Sequence, residues 1–450
     1  MTSKKVKWMV ALVVVCALGI WTSSRWDAWF HNPEENPYYV GIQPCRILLT
    51  LGDSSELSRN VSWQCDSILH PSSLQLVSLA DSDTIVVEPQ GEVFRSRSGQ
   101  AAHYVARLRH LKADAHYAYR VVTNGNSSPW YDFHTYPTRR NHAAFLYVGD
   151  VQDSIGGQAG HYLREALKRH PLCELTVCGG DLVERPADQY WAETFRELDS
   201  IVQHIPLLNA TGNHDYLKGL PMKLERRFPL VFSYFLDSMQ GNNQVYTTCY
   251  GPIQFFVLDS NRELPYLFSQ RQWLEQALSQ SQAMWKILII HHPLYSLKGN
   301  NNLIQRWIFK GVIEKYGVDL VLQAHEHAYA RMTRHDDSGR AITPVYTVSH
   351  CSPKNYLIQF DKRFDKFGIS QRYYQVMEAC ADTLTVAAYV AYDHSLYDSL
   401  RIVKQPGTGA TVIEDYGQSI PEYMEYTPST GSKKERDFAE RVKNYREGKR

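Results

Sequence analysis

Five apolar runs in this sequence each end in side chains able to hold a cation: "FLYVGDVQD", "LTVCGGDLVE", "PLLNATGNHD", "ILIIHHP" and "VDLVLQAHEH". Carboxylate oxygens, an amide oxygen and imidazole nitrogens together make the donor set of a hard-to-borderline divalent ion. One such run carries little weight, and the histidines of "HEH" at 325 and 327, taken alone, read more simply as polar residues closing a strand. Five runs carry much more. Groups placed just after the strands of an open α/β sheet converge beyond the carboxyl ends of those strands, however far apart they lie in sequence.

The elements needed to position such groups are legible. From residue 139 to residue 404, apolar strands alternate with amphipathic stretches such as "GHYLREALKRH", "YWAETFRELDSIVQHI" and "LIQRWIFKGVIEKYG", which predicts an α/β layered domain. Residues 36–138 instead carry short β-type runs parted by polar turns ("RILLTLG", "LQLVSLA", "HYVARLRHL", "AHYAYRVVTN"), the pattern of an all-β sandwich. The stretch "LRHLKADAHYAYRVV" resembles the end of a fibronectin-type domain. Residues 405–450 lose apolar density and read as a polar, charged tail, a solvated helix or frayed end without chemistry of its own.

Composition narrows the function classes. The 48 Lys and Arg against 47 Asp and Glu leave no basic field, so no nucleic-acid binding is predicted and an anionic substrate must be attracted locally. Residues 1–24 place Lys4, Lys5 and Lys7 ahead of an apolar run from Trp8 to Trp21, as in a secretory signal peptide or an N-terminal anchor. Export is expected in either case: periplasmic, secreted, or attached to a membrane through residues 8–21 and facing outward. Outside this leader the cysteines number seven, with no CxxC pair, so buried free thiols are expected, and Cys45 with Cys65 is the pair to check first.

The five motifs in order, over residues 143 to 404, resemble the calcineurin-like metallophosphoesterases, and with the preceding fibronectin-like domain the purple acid phosphatase branch in particular. The resemblance implies an α/β metallophosphoesterase sandwich, two mixed sheets flanked by helices, behind the all-β sandwich. It implies two metal ions drawn from Fe, Mn or Zn. Asp150, Asp181 and His327 would hold one, Asn213, His291 and His325 the other, with Asp181 bridging. His214 would contact the phosphate and protonate the leaving oxygen, and Asp215 would orient its imidazole or else cap a turn. His292 is expected to be a support or a substrate-side residue.

Three departures qualify that pattern. Purple acid phosphatases carry a tyrosine three residues after the bridging aspartate, where this chain has Glu184, so a purple ferric centre is not expected. Many relatives have Asp-x-His in the first motif, where this chain has Gln152; weak ligation or a supporting hydrogen bond is expected for both Gln152 and Glu184. Ala324 replaces the usual glycine before the last His-x-His. Asp259, ending "FFVLDSN", reads as a turn residue.

The function implied is an exported, dinuclear metal-dependent phosphohydrolase. It would cleave phosphate monoesters of small-molecule or polymer substrates by attack of a metal-bound hydroxide, as acid phosphatases do. A phosphodiesterase on the same metal core is the first alternative. A catalytically inactive binding or adhesion module is the remote one, disfavoured because a dead site should have lost a ligand or His214. The long connection from Tyr216 to Gln244 is expected to border the pocket.

Overall fold

The computed structural model describes residues 3–448 apart from 53–56, 81–83, 137–140, 235–236, 240–243, 406 and 408–409, so the junction expected at 138/139 lies outside the described residues. Residues 45–134 form two antiparallel sheets. One orders Cys45–Leu51, Arg59–Gln64, Gln100–Leu108 and Gln90–Arg95; the other orders Thr84–Val87, Ser72–Ser78 and His116–Thr123, with Asn126–Ser127 and Tyr131–His134 on the last. Side chains alternate faces along a strand. Ile47, Leu49, Val61 and Trp63 of the first sheet thus meet Leu74, Leu76, Tyr119 and Phe133 of the second in one core.

The larger unit is also a sandwich. A seven-stranded sheet runs Leu207–Asn209, Cys173–Cys178, Ala143–Val148, Tyr373–Ala379, Thr383–Val390, Leu396–Lys404, Thr411–Asp415. An eight-stranded sheet runs Asp237–Ser238, Tyr246–Tyr250, Ile253–Leu258, Trp285–Ile290, Leu320–Gln323, Ala341–Val348, Tyr329–His335, Lys366–Gly368. The two face each other through Phe145 and Phe255, whose rings meet edge-on at 5.1 Å, and through Tyr147, whose hydroxyl donates to Gln323 O at 2.9 Å. On the other face of the eight-stranded sheet, Phe256, Leu258, Leu288 and Ile290 pack under two helices. Leu264–Gln280 contributes Leu267, Leu274 and Leu278, and Leu303–Lys315 contributes Ile308, Phe309 and Val312, the helical spacing that puts an apolar stripe on one side.

The reading of residues 405–450 as a tail is corrected by this structure. Thr411–Asp415 is the edge strand of the seven-stranded sheet, paired with Leu396–Lys404. Helix Lys433–Arg446 buries Phe438 and Val442, one turn apart, and Phe438 lies against Phe360. Two apolar residues at that spacing suffice to dock an otherwise charged helix, too few to register as an amphipathic pattern. Asp415 also helps Asp398 to neutralise the buried Arg331, at 2.8 and 2.7 Å.

Charge joins the two sandwiches. Arg46 of the smaller one makes a two-pronged pair with Asp188 at 2.8 and 2.9 Å, and the buried Arg227 reaches Glu35, Glu225 at 3.0 Å and Asp188 at 3.4 Å. Much of the long connection from Tyr216 to Gln244 therefore seats on the smaller sandwich: Asn60 and Ser62 donate to Ser233 O and Val231 O, both at 2.7 Å. Its first hairpin, Tyr216–Leu217 with Lys223–Leu224, reaches the turn after strand Ile253–Leu258 through Tyr216 and Asp259, and Tyr234 meets strand Leu207–Asn209, its hydroxyl accepting from Asn209 N–H at 2.7 Å. Arg227→Ala strips three carboxylates of their buried partner and is expected to cost about 3–5 kcal/mol. Urea unfolding measures it, and a loss below about 1 kcal/mol would contradict this role.

Residues Ser3–Phe30 form one helix that continues past the apolar run, and Asn32, just beyond it, exchanges hydrogen bonds with the backbone of Lys218 at 3.0 and 2.8 Å. No helix among the described residues is long and apolar enough to cross a membrane. None of the eight cysteines is in a disulfide among the described residues, Cys45 and Cys65 included.

Candidate metal centre

Ala143–Val148, Cys173–Cys178 and Leu207–Asn209 run parallel in one sheet, as do Trp285–Ile290 and Leu320–Gln323 in the other. Their carboxyl ends carry the five motifs, and backbone bonds tie the turns together. Asp150 N–H donates to Gly180 O at 3.2 Å, Gln152 N–H to Asp181 O at 3.1 Å, and Ala324 N–H to His291 O at 3.0 Å.

The turns are unusually tight. Asp150, Asp181, His325 and His327 all sit in left-handed backbone, with φ of 46°, 55°, 72° and 29°. For non-glycine residues this costs on the order of 1–3 kcal/mol each and persists where the surroundings require it, typically at functional sites. Gly180 (φ 99°) lies so close to its neighbours that a Cβ there would stand 2.8 Å from His291 Nδ1, and a Cβ on Gly212 would overlap the Asp181 carboxylate.

The side chains converge. Asp181, His291 and His325 bring one donor atom each within 4.8 Å of one another. Asn213 Oδ1 lies 2.8 Å from His325 Nδ1 and 3.2 Å from His291 Nε2, and His291 Nε2 lies 3.3 Å from Asp181 Oδ2. His291 Nδ1 donates to Gly179 O at 3.0 Å, which leaves Nε2 as the ligating nitrogen. Asp150 is fully buried, and neither of its carboxylate oxygens has a hydrogen-bond partner; His327 Nδ1 is likewise buried without one. Burial raises the Asp150 pKa, and the nearby Asp181 carboxylate adds to the rise. Burial acts on Asp181 in the same direction, but His291 and His214 overcome it and hold this carboxylate low. Burial pushes the His327 imidazole down to about 2, keeping it neutral as a ligand must be. A buried carboxylate with two idle oxygens is costly unless a cation meets it, so this donor set fits bound metal.

The middle residue of "HEH" explains the motif's spacing. Glu326 points the other way, fully buried, accepting from Ser296 Oγ at 2.5 Å and from Leu297 N–H. His325 and His327 thereby share the metal side.

His214 sits on the short helical turn Asn213–Asp215. Its N–H donates to Asp181 Oδ1 at 2.7 Å, its Nδ1 meets Glu184 O, and its Nε2 stands 4.0 Å from Asp181 Oδ2. Asp215 is a correction to the expectation that it orients this ring. Its carboxylate accepts from Gly212 N–H at 2.8 Å and caps the turn, because a side chain next in sequence to His214 on a tight turn projects away from it. Glu184 supports His214 through its carbonyl, while its carboxylate pairs with Lys354 at 2.7 and 2.6 Å rather than joining the ligands. With its amide nitrogen turned toward Asp181, Gln152 donates to Asp181 Oδ2 at 3.3 Å and to Asp181 O at 3.0 Å, so it braces the shared carboxylate. His292 stacks near His325, ring centres 4.2 Å apart, with Ser260 Oγ 2.9 Å from its Nδ1. Asp259 holds its own turn, accepting from Tyr216 and from Asn261 N–H at 3.1 Å.

Lys354 and His350 are two site residues that the five motifs do not include. They lie just after strand Ala341–Val348, a sixth apolar run that ends in "SHCSPKNY". His350 is fully buried with its ring 5.6 Å from that of His327, and the charge of Lys354 acts on both Asp150 and His327.

Residues 143–329 match the calcineurin-like phosphoesterase family, and residues 44–135 match the purple acid phosphatase N-terminal domain. The chain is similar to purple acid phosphatase 18 of Arabidopsis thaliana, 23% identical over 73% of this chain and 77% of that one. It is also similar to phosphoenolpyruvate phosphatase of Allium cepa, 24% identical over 65% of this chain and 64% of that one, under two thirds of the relative's length. Among solved structures, that of PhoD superposes over 93% of this chain and 100% of its own, with TM-score 0.58 and 13% identity, a likeness of fold.

Proposed function

We propose, from the match of residues 143–329 to the calcineurin-like phosphoesterase family and of residues 44–135 to the purple acid phosphatase N-terminal domain, that this chain is an exported phosphatase hydrolysing phosphate monoesters at a two-cation centre. The observation that carries the proposal is a fully buried Asp150 carboxylate, both oxygens without a hydrogen bond, beside a second donor group around Asp181 at the ends of the same strands. Asp150, Asp181 and His327 hold one cation; Asn213, His291 and His325 hold the other; Asp181 is shared. When bound, two such ions supply positive charge for the phosphoryl oxygens and activate water for in-line displacement.

The chain's own residues do the rest. Gly179 O fixes the His291 tautomer, and Gln152 and the His214 N–H hold the Asp181 carboxylate in place. Glu184 O accepts from His214 Nδ1–H, which turns Nε2 toward the site; as an imidazolium the ring would pass its Nε2 proton to the departing alkoxide. Glu184 stands where a tyrosinate would ligate ferric iron, which favours a centre without purple colour and leaves the metal pair among Fe, Mn and Zn. Lys354, held by Glu184, keeps positive charge at the rim for an anionic substrate.

A proton donor has a specific kinetic signature. His214→Ala is expected to lower kcat by about 10²-fold or more for an alkyl phosphate. For a nitrophenyl phosphate, whose leaving oxygen needs no proton, the loss should stay within about tenfold. Steady-state kinetics on both esters of one preparation decide it, and equal losses would remove His214 from that role.

The phosphodiesterase reading shares every ligand and differs in what the rim accepts; the ratio of monoester to diester turnover separates the two. An inactive binding module is disfavoured by the complete donor set and the placed His214. We read the smaller sandwich as fibronectin-like, and the helix Ser3–Phe30, with Trp8, Leu12, Val13 and Trp21 exposed, as the leader that exports the chain or attaches it to a membrane surface. Phosphorylated small molecules or polymers are the partners this implies.

A further inference from the structure

A second group of metal-capable side chains lies at the opposite end of the same sheet. His142, Glu378 and Cys380 each offer one donor atom, and these atoms lie within 4.8 Å of one another. The sheet register explains the grouping. Ala143 pairs with Ala379 and Ala144 with Glu378 in antiparallel fashion, so His142 falls opposite Cys380. Directly opposed residues share a face, and so do residues two apart on one strand. All three side chains therefore stand on one face, and His142 Nε2 already meets Glu378 Oε1 at 2.6 Å. A strand of six residues separates this end from Asp150, about 20 Å at the usual rise, so the group is independent of the phosphatase centre.

The positions of these residues are fixed from behind. Cys380 N–H donates to Thr383 O at 2.8 Å, Cys380 O accepts from Trp285 Nε1 at 2.7 Å, and His142 O accepts from the Tyr136 hydroxyl at 2.8 Å. All three side chains are half-buried, open enough for an ion to enter. An imidazole, a thiolate and a carboxylate make a mixed donor set of the kind zinc takes, with the fourth position left to water. Without a cation, burial and then the negative charges of Glu378 and Asp382 push the Cys380 thiol pKa up; a divalent ion reverses that balance.

We propose that His142, Glu378 and Cys380 form a zinc-class cation site that clips the first residue before strand Ala143–Val148 to the end of strand Tyr373–Ala379. Its role is to hold the entry of the larger sandwich, next to its connection with the smaller one. This site needs neither the phosphatase centre nor its activity.

The test uses the full chain, stripped of metal and titrated with Co²⁺. The phosphatase ligands include no sulfur, so a sulfur-to-cobalt charge-transfer band in the near ultraviolet reports this site alone. The band should plateau at one thiolate-bound cobalt per chain, with up to three equivalents bound in all once the two-cation centre is also filled, vanish in Cys380→Ser and persist in Cys173→Ser. In Glu378→Gln, which keeps the thiolate, the Co²⁺ concentration for half-saturation should rise at least about tenfold. Absence of the band in the unaltered protein, or its survival in Cys380→Ser, would overturn the proposal. Glu378→Gln keeps it testable if Cys380→Ser folds poorly: a half-saturation point unmoved by Glu378→Gln contradicts the site.

Discussion

Asp181→Asn is expected to lower phosphate-ester turnover by about 10³-fold or more while leaving the fold intact. Asp181 is the one residue placed in both ligand groups: it lies 3.3 Å from His291 and accepts the His214 N–H at 2.7 Å. The amide retains the size and one acceptor oxygen but loses the negative charge that holds two cations together. A metal pair contributes several kcal/mol of transition-state stabilisation, and about 4 kcal/mol corresponds to 10³-fold in rate. The retained oxygen can still accept the His214 N–H, so the loss reads the missing charge and not a displaced His214. The measurement is kcat on a chromogenic phosphate ester beside a circular dichroism melt. A folded Asp181→Asn protein retaining more than about a tenth of the activity would contradict the shared role.

The second large effect is on stability. Each cation at about 100 times its dissociation constant should add about 2.7 kcal/mol to folding, so two should add roughly 5 kcal/mol. At about 2–4 °C per kcal/mol for a domain of this size class, loading should raise Tm by roughly 10 °C or more, and chelation should reverse it. Asp150→Asn sharpens the expectation. In the metal-free protein both Asp150 oxygens are buried without partners, so neutralising them should leave stability equal or higher. In the presence of metal the same variant should forfeit half or more of the Tm rise. Calorimetry with and without metal measures both. If Asp150→Asn destabilised the metal-free protein as much as the loaded one, the carboxylate would have an ordinary packing role instead.

The sequence and the structure agree where local rules dominate. Strand ends carrying Asp, Asn and His are readable because an apolar run of fixed length must stop, and the residues just past it face one end of the sheet. The convergence of Asp150, Asp181, Asn213, His291, His325 and His327 stems from that rule alone. Residues that act through distant partners are not readable in this way. Nothing near Glu184 in sequence announces Lys354, 170 residues later, as its partner. The turn of Glu326 toward Ser296 depends on a bend whose two flanking histidines have positive φ, which the spacing of "HEH" does not announce. The docked helix Lys433–Arg446 has the composition of a solvated tail because its two buried residues, Phe438 and Val442, are outnumbered by charges. Asp215 departs from expectation for a different reason: adjacency in sequence suggests contact with His214, whereas a tight turn sends neighbouring side chains apart.

Two cations held by the strand-end donors are proposed to perform the hydrolysis. Metal-stripped protein carrying Cys380→Ser, so that the distant thiolate group takes no part, would be refilled stepwise with manganese, zinc or iron while bound metal and monoester turnover are measured on the same sample. Turnover should be absent without metal and rise to its plateau as the second equivalent binds, with the same two equivalents missing or weakened in Asp181→Asn. Full turnover in the stripped protein, or a plateau already complete at one equivalent, would contradict the two-cation role.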